Sequence, residues 1–445
     1  MFKRFLKITA SLVGLAILGG LAFLWIAPPD LLRVGTNYSA KIVCSNVFLA
    51  GRDAEEVLAV DVQAPGHPLL KFVSVSVDNE AQAVEARLFR FFAPATSVHR
   101  AGLGCTNSQT GRLSEARLEA PAGPGGGLWP EGNEVSPSQD PEVQAALSDP
   151  ALLGEGYRAV VAVKGGRIIG ETYAEGFSAE TPLLGWSMTK TVTAGLIGTL
   201  IKSGQMSLQD DLTASFPEWA ADERAAITVE DMLAMASGLR WNEGYGSVSD
   251  VTRMLYLEND MAGFAASQPA EAAPQEVFTY SSGTSTMLAR LWQDVVGDGS
   301  LSYPKEALFL PLGMASAVME TDARDTFVGS SYMYATARDW ARYGQFLLQG
   351  GRWNGEALLP EGFTDWMFEP VPASNGLYAK GHLWLEASGD APPFEDAVWL
   401  SGHDGQSIGI FPSHDLVVVR LGLTPSRLGY SALPLARALI AATAD

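Results

Sequence analysis

Hydrophobic positions along this chain change their spacing from one end to the other. They form an unbroken run at the amino end, then alternating stretches, then helically spaced positions through the centre. Residues 8–27 are almost all apolar, about twenty positions or roughly 30 Å of helix, enough to cross the hydrocarbon core of a bilayer. Lys3, Arg4 and Lys7 precede the run, and Pro28 and Pro29 end it. The basic flank favours a cytoplasmic amino terminus, which predicts a membrane anchor over residues 1–29 and an exported, extracytoplasmic or periplasmic body. A cleaved signal segment is the competing reading. Gly20 and Ala22 are small enough for a cleavage site, while Trp25 and the length of the run fit an anchor better.

Residues 71–77 alternate in polarity, Asp78 and Asn79 break the pattern, and residues 84–92 resume it, so residues 30–106 read as a small β-rich region. Residues 107–139 read as linker, because Pro121, Pro124 and the glycines at 125–127 cannot support regular structure. From residue 140 the pattern is a short helix, then strands over 158–163 and 168–173 joined at Gly165 and Gly166, a hairpin signal. Helical spacing dominates residues 190–366, and short strands return at 381–385 and 416–423. The order β, α, β predicts an α+β domain over 140–445, with an antiparallel sheet assembled from both ends beside a helical layer.

Charge and cysteine content narrow the function classes. Thirty Lys and Arg against fifty Asp and Glu give a net charge of −20, a field that repels phosphate backbones and argues against nucleic acid as a partner. Two cysteines exclude a thiolate zinc cage and a disulfide-dense scaffold. In an oxidising compartment a disulfide between Cys44 and Cys105 is expected, two buried free thiols being the alternative. The five histidines, His67, His99, His382, His403 and His414, show no metal-binding spacing, so neither metal nor cofactor is implied.

The sharpest chemical signal is Ser187 followed by Lys190, then Val192, Leu196, Ile197, Leu200 and Ile201 at helical spacing. Three residues apart at a helix start, Ser187 and Lys190 share a face, and a buried lysine has its pKa lowered toward that of a base able to take the serine proton. The Ser187 N–H at the same helix start is a candidate oxyanion donor. Ser302 and Lys305 repeat the spacing, but Pro304 and a loop-like setting make Ser302 a poor helix opening. Tyr280, between a proline-rich loop and a helical run, is placed to shuttle a proton, its phenol held nearer deprotonation beside a lysine ammonium; a core tyrosine with one hydrogen bond is the plainer reading. Tyr245 and Ser247 repeat the Tyr-x-Ser form as a rival, and Tyr245, Trp186 and Trp241 are candidate cleft walls. His403, Gly405 and Gln406 precede an apolar strand. On an edge strand, Gly405 would let a substrate carbonyl approach, the Gln406 N–H would be a second oxyanion donor and His403 would face the substrate; a solvated turn is the plainer alternative.

Ser-x-x-Lys at Ser187 and Lys190, Tyr-x-Ser at Tyr280 and Ser282, and His-x-Gly at His403 and Gly405, in that order, resemble the serine β-lactamase and penicillin-binding-protein superfamily. Residues 184–190, 231–239, 249–255, 280–283 and 329–340 extend the resemblance to the branch with class C β-lactamases, family VIII esterases and 6-aminohexanoate-dimer hydrolases, most of all the last. The resemblance implies a β-lactamase-like fold, Ser187 as nucleophile, Lys190 and Tyr280 as acid/base partners, and the Ser187 and Gln406 N–H groups as oxyanion hole. Two positions depart from the β-lactamases of this branch: Ser282 stands where they have an amide and His403 where they have a lysine. A neutral histidine attracts a β-lactam carboxylate less than an ammonium does, so ester or amide hydrolysis of a small molecule is expected instead. A sensor or binding protein for peptidoglycan fragments is the alternative function. A Gly-x-Ser-x-Gly pattern at Gly405, Ser407 and Gly409 lacks the following helix and downstream triad partners of a nucleophile elbow.

Overall fold

The computed structural model of the chain describes residues 2–109, 113–119, 123, 125–385 and 396–444. These fall into two compact units: one of residues 1–99, 105–113 and 244–259, the other of residues 100–104, 114–243 and 260–445. Residues 244–259 thus pack with the amino-terminal part of the chain, although sequence spacing put them in the 140–445 domain.

In the first unit, α1 (Phe2–Ile26) carries the apolar run, and residues 4–26 of it are long and apolar enough to cross a membrane, with none of that stretch buried. Next comes α2 (Asp30–Phe48), where strands were expected. Its composition explains the difference. Thr36, Asn37, Ser39 and Asn46 are poor interior helix formers, but each turns its side chain back onto a carbonyl one turn earlier, at 2.8–3.2 Å, and is thereby buried without an unmet polar atom. Tertiary packing thus overrides propensity. A four-stranded antiparallel sheet follows, β1 (Val73–Asp78), β2 (Ala83–Leu88), β3 (Phe92–Arg100) and β4 (Gly104–Asn107), in sequence order. Cys44 of α2 and Cys105 of β4 are joined by a disulfide across 61 residues. The helix Asp250–Leu257 lies on α2, with Tyr256 edge-on to Tyr38 at 5.6 Å and Arg253 2.6 Å from Asp30.

The second unit is built on a seven-stranded antiparallel sheet of β5 (Tyr157–Lys164), β6 (Arg167–Tyr173), β7 (Tyr378–Ala379), β8 (Leu383–Trp384), β9 (Val398–Gly402), β10 (Gln406–Phe411) and β11 (Leu416–Gly422), ordered β7-β8-β9-β10-β11-β5-β6. The expected hairpin is present. Gly165 and Gly166, at φ 58° and 72°, adopt the left-handed pair that a two-residue turn requires between Lys164 and Arg167. Strands from the two ends of the domain meet where β5 pairs with β11, Val160 opposite Arg420.

Alternation then sorts the faces. Val160, Ala162, Leu416 and Val418 join a core with Leu433, Leu435, Ala436 and Leu439 from the carboxy-terminal helix. On the opposite face lies the helix Ala337–Leu348, whose Gly344 admits Val417 and Ile408 to distances at which a Cβ would clash, 2.7 and 2.9 Å. The remaining helical layer contains α3 (Thr189–Lys202) and α4 (Ser282–Val296).

Part of the expected linker, residues 110–112, 120–122 and 124, lies outside the described residues. Its second half is not a linker in behaviour. Residues 128 and 134 form a β-bridge, Trp129 is buried, and the buried Arg342 guanidinium sits 5.6 Å from the Trp129 ring while donating to the Gly132 carbonyl at 2.6 Å and to Asn133 at 2.8 Å. Arg167 also donates to Trp129 O at 2.5 Å and Arg338 to Asn133 O at 2.9 Å, so glycine and proline content concealed a segment organised by three distant arginines.

Opening the disulfide by Cys44→Ser with Cys105→Ser should cost about 4 kcal/mol of stability, from the loop it closes in the unfolded chain. A lowered denaturation midpoint checks this, and two reactive thiols in denatured, unreduced protein would overturn the pairing.

Candidate active site

Ser187 lies on a single 3₁₀ turn, Trp186–Met188, that leads into α3. Trp186 just before it is left-handed, φ 49°, a conformation costing about 1–2 kcal/mol for a bulky residue. The turn is held by the Thr189 hydroxyl donating to the Trp186 carbonyl at 2.7 Å, and by Gly185 N–H donating to the Met333 carbonyl at 2.9 Å. Ser187 is half-buried, whereas Lys190 is wholly buried.

The Lys190 amine has three neighbours at hydrogen-bond distance: Ser187 Oγ at 2.9 Å, Ser282 Oγ at 3.0 Å and the Ser330 carbonyl at 3.0 Å. Burial lowers its pKa from 10.5 to about 8, opposed by the Glu243 carboxylate. Glu243 is itself anchored by three donors, the Ser282 hydroxyl at 2.5 Å, the Ser282 N–H at 2.9 Å and the Trp241 indole N–H at 2.5 Å. Since the Ser282 proton goes to Glu243, Ser282 Oγ can only accept from Lys190. A neutral amine has two N–H donors and one lone pair. The donors are taken by Ser282 and the Ser330 carbonyl, and the lone pair is left for the Ser187 proton.

The Tyr280 ring centroid lies 4.8 Å from Lys190 Nζ, and Ser187 is close enough to its phenol to oppose, weakly, the rise in its pKa. Its phenol is not held nearer deprotonation as expected. Burial, with the Glu243 charge adding to it, raises its pKa well above the ordinary value, so Tyr280 stands as a neutral hydroxyl. Its ring also packs with Tyr378 at 5.9 Å and Trp384 at 5.3 Å, forming an aromatic wall.

His403, Asp404 and Gly405 make the turn between β9 and β10. Gln406 opens β10, which lies in the middle of the sheet and not at its edge. Gly405 is required by its φ of 80° and by the buried Arg420 guanidinium, which would lie 2.9 Å from an added Cβ, and not by substrate approach alone. The Gln406 amide ties the turn down, donating to His403 O at 3.0 Å and Gly422 O at 2.6 Å and accepting from Gly422 N–H at 2.8 Å. The His403 side chain is 42% exposed and edge-on to Trp186 at 5.7 Å. A Cβ on Gly402 would fall 2.2 Å from the Gly185 carbonyl, so the end of β9 meets the turn of Ser187 backbone to backbone.

Ser187, Lys190, Tyr280, Ser282, His403, Gly405 and Gln406 therefore all belong to the second unit, whereas Tyr245 belongs to the first and is 39% exposed. Trp241 packs over Gly283 at the start of α4 and holds Glu243. Ser302 sits on a surface turn, its hydroxyl bonded to Gly299 O. Glu243, the Ser330 carbonyl and His382 escaped the sequence reading. His382, buried and held neutral with a pKa near 4, places its two ring nitrogens 3.2 Å from the Lys190 and Met232 carbonyls. No spacing rule marks these residues; only residues 329–340 carried a signal. Among the described residues no cluster of His, Cys, Asp or Glu could hold a metal ion.

Residues 156–438 match the family model described as Beta-lactamase. A 6-aminohexanoate-dimer hydrolase from Paenarthrobacter ureafaciens is 24% identical over 296 residues, 60% of this chain and 72% of that protein. Among solved structures, a putative 6-aminohexanoate-dimer hydrolase from Bacillus anthracis superposes with a TM-score of 0.56 at 23% identity, covering 65% of this chain and 79% of that one. A family VIII carboxylesterase superposes with a TM-score of 0.55 at 16% identity, covering 70% and 98%. At these identities the structural likeness establishes the fold, an α+β architecture of β-lactamase type.

The depressed Lys190 pKa has a stability consequence. Between pH 8 and 10.5 the unfolded chain still binds the proton that the folded chain has lost, so stability rises with pH there. Relative to Lys190→Met, the wild type should gain about 3 kcal/mol across that window, measured by denaturant unfolding at both ends. A flat difference would overturn the buried-amine description.

Proposed function

The chain belongs to the β-lactamase family of serine hydrolases, and from that premise we propose that it cleaves an ester or amide through an acyl-enzyme on Ser187. The observation that carries the reading is the buried Lys190 amine, whose donors are committed to Ser282 and Ser330 and whose lone pair faces the Ser187 hydroxyl. Neutral Lys190 takes the Ser187 proton as the serine oxygen attacks the substrate carbonyl. The Ser187 and Gln406 N–H groups stabilise the oxyanion. Tyr280, a neutral phenol whose ring lies beside Lys190, donates its proton to the leaving group and recovers one from Lys190. Water then repeats the sequence in reverse to release the acid.

Support for an ester or amide over a β-lactam antibiotic comes from charge. Glu243 stands beside the lysine, the whole chain carries −20, and the half-exposed His403 occupies the place of a carboxylate-binding lysine. The relatives named for a linear amide and a carboxylester fit the same choice. The apolar α1 and the disulfide support an exported enzyme tethered at the extracytoplasmic face of a membrane. On this reading the partners are a small ester or amide and the bilayer.

Ser187→Ala should leave the fold intact, abolish the fluorophosphonate adduct seen by intact-mass spectrometry, and lower p-nitrophenyl ester turnover by about four orders of magnitude. Unchanged turnover would remove Ser187 as nucleophile. The rising limb of kcat/KM should centre near pH 8, where Lys190 loses its proton. Glu243→Gln removes the charge that raises that pKa, so its limb should move toward acid; a limb moving toward alkali would contradict the assigned coupling.

A further inference from the structure

We propose that the tip of the β2–β3 hairpin, Phe89, Arg90 and Phe91, together with Lys71 and Phe72, docks on an anionic phospholipid surface. It rests on the membrane-tether reading above and gives the first unit a second contact with the same bilayer. Three observations in that unit converge on it.

The first is conformational. Leu88 pairs with Phe92, and the three-residue loop between them holds a tight turn, closed by Phe91 N–H donating to Leu88 O at 3.1 Å, with φ of 49° at Phe89 and 68° at Arg90. Two left-handed positions in succession are the place of Asn-Gly, and the Gly165–Gly166 turn of this same chain is built in the inexpensive way. A phenylalanine and an arginine there carry backbone strain that Asn-Gly would not, which points to a use for their side chains.

The second is exposure. Phe72, Phe89 and Phe91 are 50%, 50% and 66% exposed, and outside α1 they are the exposed phenylalanines among the described residues. The rings of Phe72 and Phe89 lie 4.8 Å apart and Phe89 N–H donates to Phe72 O at 2.8 Å, so the three form one patch. Lys71 and Arg90 flank it, both exposed, in a chain whose net charge is −20. Aromatic rings edged by basic residues suit the headgroup region of a bilayer.

The third is position. Phe72 ends the 3₁₀ turn Pro68–Phe72, and Leu70 of that turn packs against Gly35, where an added Cβ would lie 3.2 Å from its methyl. Gly35 is five residues into α2, about 8 Å along its axis, and α2 follows α1 after Ala27, Pro28 and Pro29. The patch therefore stands beside the first turns after the membrane-crossing segment.

The test uses the full chain in nanodiscs of phosphatidylcholine with an equal part of phosphatidylglycerol, or of phosphatidylcholine alone, each carrying a trace of diazirine-labelled phosphatidylcholine. After illumination, adducts are mapped by peptide mass spectrometry. Adducts are expected on residues 2–26 and on peptides covering residues 71–73 and 88–92. Arg90→Ser should reduce tip labelling about fivefold in the anionic discs and leave it unchanged in the neutral ones. The double variant Phe89→Asn with Arg90→Gly should fold with a higher Tm, keep ester turnover and lose the tip adducts, separating contact from folding. Adducts confined to residues 2–26 would overturn the docking and leave the tether; adducts on neither would overturn both. Tips coupled to tips of a second copy in place of lipid would also overturn the docking.

Discussion

A lysine amine with no exposure to solvent is the constraint on which this site depends. An ionisable group in that position is tolerated only where its hydrogen-bonding capacity is met, and Lys190 meets it from its own helix entry and two distant segments: Ser187 beside it, Ser282 at the head of α4, and the Ser330 carbonyl beyond. Those segments are fastened to one another independently. Thr193 of α3 donates to the Gly329 carbonyl at 2.8 Å and Thr286 of α4 donates to Ser330 Oγ at 3.1 Å. Beneath them, His382 lies 3.2 Å from the Lys190 carbonyl on a left-handed backbone, φ 60°. The amine is thus poised between two opposing influences, burial that strips its proton and the Glu243 carboxylate that restores it. Tyr280 is pushed the other way by the same burial and the same carboxylate. One environment therefore shifts the amine and the phenol in opposite directions, the separation that the proposed proton transfers use.

Much of this was legible in the sequence because it is local or periodic. The Ser187 and Lys190 spacing is a property of one helix turn, the Gly165–Gly166 turn is a two-residue code, and the strand pattern at both ends of the domain follows from alternation. The residues that were missed act across the fold. Glu243 is 39 positions from Ser282, and nothing in the residues around it announces a carboxylate that orients a serine. The expected fate of Tyr280 failed for a related reason: a neighbouring ammonium lowers a phenol pKa, but only the packed structure shows that burial and Glu243 outweigh it. Likewise the alternation at residues 71–77 and 84–92 draws α2 into the β-rich region, and the back-bonded side chains and tertiary burial of that helix leave no mark in the pattern.

Around Ser187 the contacts are made by backbone more than by side chains. Gly185 touches Trp340 where a Cβ would lie 2.2 Å from the ring, and Gly402 meets the Gly185 carbonyl at the same distance, so neither position admits a side chain without moving the turn of Ser187. Trp186, Asp404 and Gly405 are all left-handed, at φ 49°, 58° and 80°, on the two turns that bracket the site. Their strain is held by buried anchors: Trp340, the Gln406 side-chain amide, and Arg420, which donates to Gly405 O at 3.0 Å. His403 projects from its turn partly exposed, edge-on to Trp186 at 5.7 Å and 3.5 Å from the Asp404 carboxylate. Ser282 is constrained differently, because it must accept from Lys190 and donate to Glu243 at once, a demand that a hydroxyl meets through a single oxygen.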